Sequence, residues 1–288
     1  MNQRPRLLNY LSLVKFSHTV FAMPFAIIGF FLAVRHDQYP FSWSIFIAVI
    51  LCMVFARTAA MAFNRYVDRE IDGKNPRTAL REIPSGIIRP KSALHLTIVS
   101  SLLFMAAAWF INPLVFKLSP VALLIILGYS FTKTFTTWSH LILGLGLSLA
   151  PVGAYLAVTS KLTLLPVFYS LVVIFWVSGF DILYALQDEW FDRQENLRSV
   201  PVRFGRKKSL IISALFHLVS GGIVILAGYY GHFSLWYWIG SLIFLGLLTY
   251  QHVILSSDDI SRLNTAFFTT NGIASVLFAL FFLLEMYF

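Results

Sequence analysis

The sequence predicts an all-α integral-membrane protein: a single polytopic domain over residues 1–288, with nine transmembrane helices arranged as two four-helix pseudo-repeats plus a ninth helix. Three observations carry that expectation. Hydrophobic residues make up 58% of the chain and charged residues only 12%, with a mean hydropathy of +0.76, whereas soluble domains carry about 25% charge. Apolar runs of about 20 residues, long enough to cross a bilayer, recur throughout. Basic residues gather in alternate connections, as the positive-inside rule requires.

The runs fall at 17–35, 42–63, 93–111, 119–132, 138–159, 163–187, 209–230, 233–254 and 265–287. The first follows Arg4, Arg6 and Lys15 in the manner of a signal peptide, but Phe31-Leu-Ala-Val-Arg35 has no small-x-small cleavage site, so a retained helix is expected. The second and sixth end in acidic stretches. The fourth is short and reads as tilted or partly re-entrant. Trp236, Tyr237 and Trp238 after the seventh read as an interfacial aromatic belt. The Phe-rich end of the ninth, Phe278 to Phe288, reads as lipid-facing. Pro24, Pro151 and Pro166 kink or start helices.

With the N-terminus inside, 18 of the 22 basic residues fall on the cytoplasmic side, while the opposite side receives Arg35, Lys117 and Lys161. The net charge of +9 therefore needs no nucleic-acid partner; basic loops beside a lipid bilayer account for it. Arg89, Lys91, Arg206, Lys207 and Lys208 read as solvated caps that orient the chain. The single Cys52 excludes an intramolecular disulfide and a thiolate metal site. The active-site mouth is expected to be cytoplasmic, at a bacterial inner membrane.

Two acidic stretches interrupt the oily chain: Asn64-Arg-Tyr-Val-Asp68-Arg-Glu-Ile-Asp72 and Asp181-Ile-Leu-Tyr184-Ala-Leu-Gln-Asp188-Glu-Trp-Phe-Asp192. Four-residue spacing puts Asp68/Asp72 on one helix face and Asp188/Asp192 on another. The pairs sit 120 residues apart, each after an even-numbered helix, which suggests a parallel internal repeat. Helices two and six would then face each other across a central cavity, with acidic ends at one mouth.

Carboxylate oxygens with no His or Cys cluster nearby select a hard cation, and magnesium suits one or two carboxylates completed by water and phosphate. Arg65, Arg69, Lys74, Arg77 and Arg81 follow the first pair; Arg193, Arg198 and Arg203 follow the second. Arginine forks match phosphate oxygens, so a diphosphate fits the cluster and the apolar helices suit a long hydrocarbon tail. Asp181, two turns inside the sixth helix, and Arg57, inside the second, are costly there without a function. Tyr129 either packs or lines the cavity. Lys15 and His18 either touch the acceptor or anchor at the interface.

Together with Arg57, Asn75-Pro-Arg-Thr78, Pro84-Ser-Gly86, Tyr129-x3-Lys133, Gln187 and Ser199-Val-Pro-Val-Arg-Phe-Gly205, these stretches resemble the paired signatures of the UbiA-type intramembrane aromatic prenyltransferases over essentially the whole chain. The resemblance implies a magnesium-dependent transferase that joins a polyprenyl group from a polyprenyl diphosphate to an aromatic acceptor in ubiquinone or menaquinone biosynthesis. It implies that Asp68, Asp72, Asp188 and Asp192 hold Mg2+ with help from Asn64, Asp68 and Asp188 being catalytic in that role. Lys133 and Arg77 would grip the diphosphate, with Tyr129, Gln187 and Arg198 also in the substrate site. Asp181 and Tyr184 would lie near the reacting carbon, and Arg57 would meet either the diphosphate or an anionic acceptor. Arg65 stands where Asp is frequent and Thr134 where Arg is frequent. The Asn-Arg variant, with Phe16-Ser-His-Thr-Val-Phe21, looks like the 4-hydroxybenzoate polyprenyltransferase-like branch, which includes futalosine-route menaquinone enzymes. Other acceptors (naphthoate, haem, chlorophyllide or a glyceryl phosphate lipid) keep the chemistry. A transporter would place its ionisable groups nearer the midplane.

Overall fold

The computed structural model describes residues 6–14 and 21–288, so the expectations on Arg4, Lys15 and His18 lie outside the described residues. The described chain is all helix, without a strand. Among the described residues seven helices are long and apolar enough to cross a membrane. In chain order the elements are α1 (Arg6–Leu13), α2 (Met23–Phe31), α3 (Trp43–Val67), α4 (Arg69–Lys74), α5 (Pro90–Ile111), α6 (Pro113–Phe135), α7 (Ser139–Thr159), α8 (Leu164–Ala185), α9 (Glu189–Gln194), α10 (Val200–Tyr230), α11 (Leu235–Val253) and α12 (Asn271–Tyr287). π-helical turns extend α2 over Leu32–His36 and precede α12 over Thr265–Thr270.

The expected first and eighth spans are weaker than the rest. The first is the shorter apolar helix Met23–His36. The eighth, α11, runs 19 residues but dilutes its aliphatics with Trp236, Tyr237, Trp238, Gln251 and His252. The expected short fourth span is a full 23-residue helix, α6. Pro113 starts it where a missing N–H costs nothing, and the Asn112 side chain caps it by accepting from the Val115 N–H at 2.8 Å. The Asn112 amide also donates to the Leu156 and Ala157 carbonyls at the end of α7, tying the two helices together.

The two acidic stretches share a local form. α3 breaks at Asp68 into the six-residue α4; α8 breaks at Leu186–Asp188 into the six-residue α9. Each break falls just where the paired aspartates lie. α3 packs on α5, whereas α8 packs on α7 and α10, which leaves the acidic ends of α3 and α8 facing a shared cavity. Close backbone approach holds α2 on α7: a Cβ at Gly29 would stand 2.0 Å from the Pro151 carbonyl oxygen.

The core is aromatic. Phe25, Trp176, Tyr237, Phe244, Phe278 and Phe282 are buried between α2, α8, α11 and α12. Tyr237 is therefore no part of an interfacial belt; its hydroxyl donates to the Val224 carbonyl at 2.6 Å. Phe278 and Phe282 likewise point inward, while Phe288 is exposed. Leu102, Phe110, Leu124, Leu218 and Leu242 form part of the exposed apolar shell expected of a bundle solvated by lipid.

Candidate active site

Two cavities open inside the bundle. One, about 420 Å³, is apolar and lined by residues including Cys52, Arg57, Ile126, Leu147 and Val177. The other, about 660 Å³, is lined by Arg65, Asp68, Asp72, Arg77, Arg81, Lys133, His140, Tyr184, Asp188, Asp192 and Arg198, among others. Met61, Asn64, Tyr129, Asp181 and Phe267 line both and so form the neck between them.

The breaks after α3 and α8 explain the polar chamber. At Asp68 the backbone leaves α3, and its carboxylate receives the Lys133 ammonium at 2.7 Å and the Asn64 amide at 3.1 Å. The other Asp68 oxygen is buried without a hydrogen-bond partner. Burial holds the Asp68 carboxyl above the usual carboxylate range, with Lys133 pulling the other way. Asp72 is buried and accepts from the Arg81 guanidinium at 2.7 and 2.8 Å, with Arg65 at 3.9 Å. The unusual Arg65 thus shares its neighbour's charge.

The second stretch is clasped from the first half of the chain. Arg77 forks onto Asp188 at 2.9 and 2.6 Å and donates to the Tyr184 hydroxyl at 3.3 Å. Asn75 donates to Asp188 at 3.1 Å and accepts from the Arg77 N–H at 3.0 Å, which fixes the fork. Lys133 joins the halves from behind: its carbonyl accepts from the Arg198 N–H at 2.7 Å.

Most expected site residues therefore meet here. Asn64, Asp68, Asp72, Arg77, Tyr129, Lys133, Asp181, Tyr184, Asp188, Asp192 and Arg198 line the polar chamber. Arg57 lines only the apolar cavity. Gln187 lines neither; its amide donates to the Tyr184 carbonyl at 2.8 Å, supporting the turn beneath the site. Two residues absent from the sequence reading belong to the site. His140, at the start of α7, meets Asp181 at 2.7 Å. Phe267, on the π turn before α12, stacks on Tyr184. Neither carries a motif.

Among the described residues no three His, Cys, Asp or Glu side chains converge to hold a metal. The donor set nevertheless suits a hard cation. Every candidate ligand atom is an oxygen, Asp68 offers an unpartnered buried one, and magnesium takes one or two carboxylates per ion beside phosphate and water.

Over residues 22–282 the chain matches the UbiA prenyltransferase family. The chain belongs to that family. It is accordingly a prenyltransferase and an integral, multi-pass membrane protein. A 4-hydroxybenzoate octaprenyltransferase of Aliivibrio fischeri is 30% identical over 238 residues, 82% of this chain and 82% of the relative. The apo structure of a UbiA homologue from Aeropyrum pernix superposes with a TM-score of 0.85 at 27% identity, covering 93% of this chain and 98% of the other. A UbiA homologue from Archaeoglobus fulgidus, bound to DMAPP and Mg2+, shares the fold with a TM-score of 0.73 at 19% identity, over 96% and 99% of the two chains.

Proposed function

We propose that the protein transfers a polyprenyl group from an allylic polyprenyl diphosphate to an aromatic acid of the 4-hydroxybenzoate kind, in quinone biosynthesis. The observation that carries this reading is the neck: a chamber rich in cations and carboxylates opens through five residues into an apolar cavity. An allylic diphosphate has the same division, with its reacting carbon at the boundary. The hydroxybenzoate octaprenyltransferase relative supports the acceptor class.

In this reading Arg77, Lys133 and Arg198 bind diphosphate oxygens, Arg77 and Lys133 exchanging their aspartates for phosphate. Asp68, Asp72, Asp188 and Asp192, with Asn64, would hold Mg2+. When bound, magnesium supplies neutralising charge to the departing diphosphate. Tyr184 and Tyr129 wall the reacting carbon, and the apolar cavity shields it from water. Arg57, a cation on the apolar side, suits the acceptor's carboxylate rather than the diphosphate. The chamber opens to the cytoplasm of a bacterial inner membrane, a placement that the basic connections support.

The test is transfer from a labelled polyprenyl diphosphate to 4-hydroxybenzoate in membranes carrying the protein. Chelation of divalent cations should abolish product and Mg2+ should restore it. Asp68→Asn and Asp188→Asn should each lose transfer; near-wild-type rates in both would refute the metal assignment. A panel of naphthoates and other phenolic acids, with products identified by mass, settles the acceptor.

A further inference from the structure

We propose that Asp181 is the base that takes the proton released when the acceptor ring is alkylated, and that His140 is the residue that positions it. The inference rests on the prenyl transfer proposed above.

Among the described residues Asp181 is the only carboxylate that lines both cavities, at the neck. Three carboxylates deeper in the polar chamber answer to permanent cations: Asp68 to Lys133, Asp72 to Arg81 and Asp188 to Arg77; Asp192 lines that chamber but not the apolar cavity. Such pairing suits anion and metal chemistry. Asp181 instead meets a histidine. Its Oδ2 lies 2.7 Å from His140 Nδ1, with the Asp181 side chain 18% exposed and that of His140 only 4% exposed. The carboxylate is thus open to the cavity on one side and backed by a closed one on the other.

The backbone sets the histidine's tautomer. The Val200 N–H, at the first position of α10, points at His140 Nε2 from 3.4 Å. A nitrogen that accepts an N–H carries no proton, so Nδ1 carries it and donates to Asp181. Ser178, one turn before Asp181 on α8, donates to the His140 carbonyl at 3.0 Å and pins the start of α7. The result is an imidazole N–H that orients the carboxylate. A geometrically similar division, histidine and carboxylate with one member buried, serves proton transfer elsewhere.

The step balances. The allylic C–O bond breaks with its electron pair leaving on the diphosphate. A π pair of the ring forms the new C–C bond to the allylic carbon. The C–H bond at the alkylated ring carbon then breaks; its pair restores aromaticity and its proton passes to the free oxygen of Asp181. Water in the polar chamber returns the carboxylate to its ionised form.

The experiment compares wild type, Asp181→Asn, His140→Leu and His140→Asn with Mg2+, geranyl diphosphate and 4-hydroxybenzoate, unlabelled or deuterated at the ring positions beside the hydroxyl. In wild type, proton loss follows the slow step and deuterium leaves kcat unchanged. In Asp181→Asn, kcat falls by about 10²–10⁴-fold, a primary isotope effect emerges, and the affinity for geranyl diphosphate stays at the wild-type value. His140→Leu shows a smaller fall, up to about 100-fold, with the same isotope signature. His140→Asn, whose amide can donate where Nδ1 does, recovers part of the rate. Asp181→Asn turning over at the wild-type rate, or slowly with no isotope effect, overturns the assignment of the base. So does loss of diphosphate binding in that variant, since Asp181 would then serve the leaving group. Wild-type kcat in His140→Leu overturns the positioning role. Wild-type protein that alkylates no hydroxybenzoate fails the proposed reaction instead, a result read before any variant is made.

Discussion

Tyr184 and Phe267 stack with ring centroids 4.1 Å apart and planes 29° apart, joining the end of α8 to the π turn before α12. Phe267 also meets Phe21, Phe180 and Phe268 edge-on. One ring therefore sets the far wall of the neck and holds the tyrosine whose hydroxyl receives Arg77. Phe267→Ala should cost about 3–5 kcal/mol, as for other buried phenylalanines, and should raise KM for the diphosphate. Thermal unfolding in detergent and a substrate titration would read both effects. Wild-type values in both would mean that the stack carries no energy.

The π turn that presents Phe267 is held by an amide cluster. Asn271 donates to the Ala266 and Phe267 carbonyls at 3.1 and 2.9 Å, and its own oxygen accepts from Trp176 and Gln251 at 2.8 Å each. A π turn leaves carbonyls poorly served by the helix, and Asn271 completes them. Asn271→Leu fits the volume but strands four polar groups, so a loss of at least about 3 kcal/mol is expected. Adding Gln251→Leu should cost less than it does alone, because the two share one network. A double-mutant cycle by thermal unfolding would show additivity if the cluster were irrelevant.

Gly205 interrupts α10 at φ 74°, ψ 169°, a conformation essentially confined to glycine. Gly205→Ala should destabilise by about 1–3 kcal/mol. Gly205→Asn should offer no rescue, because asparagine tolerates the left-handed helical region rather than this one. Equal melting temperatures for Gly205→Ala and wild type would contradict this.

The two acidic stretches should separate in stability. Asp72 is buried between Arg81 and Arg65, so Asp72→Asn leaves two cations without their carboxylate, at a cost of about 3–5 kcal/mol. The Arg77 partner of Asp188 is a third exposed and can turn to water, so Asp188→Asn should unfold close to wild type. Both variants should lose transfer. Similar melting temperatures for the two would show that burial at Asp72 does not matter.

Much of the site was legible in the sequence because charge inside an apolar chain is expensive and hence conspicuous. Asp68, Asp72, Asp188 and the basic residues near them mark one mouth in the sequence itself, and each acidic stretch breaks into a short helix, α4 or α9. The inward face of each helix was not legible. Lipid is as apolar as a core, so Tyr237, Phe278 and Phe282 carry no mark that distinguishes a buried ring from one in the bilayer. His140 was hidden for another reason. It lies 41 residues from the aspartate it touches, in a stretch with no spacing pattern, and only the packing of α7 on α8 brings the two together. Lys117 interrupts the apolar run and hides the start of α6, whereas Asn112-Pro113 is its helix-start signal.

Lys133 holds the first acidic stretch with its ammonium and the segment after the second with its carbonyl. An anion that claims that ammonium releases an oxygen of Asp68 to a cation, and a cation that claims Asp68 releases the ammonium to an anion. Each guest thus lowers the cost of admitting the other, and by linkage the two enhancements are equal. A chamber wired in this way would take up its cation and its anion together.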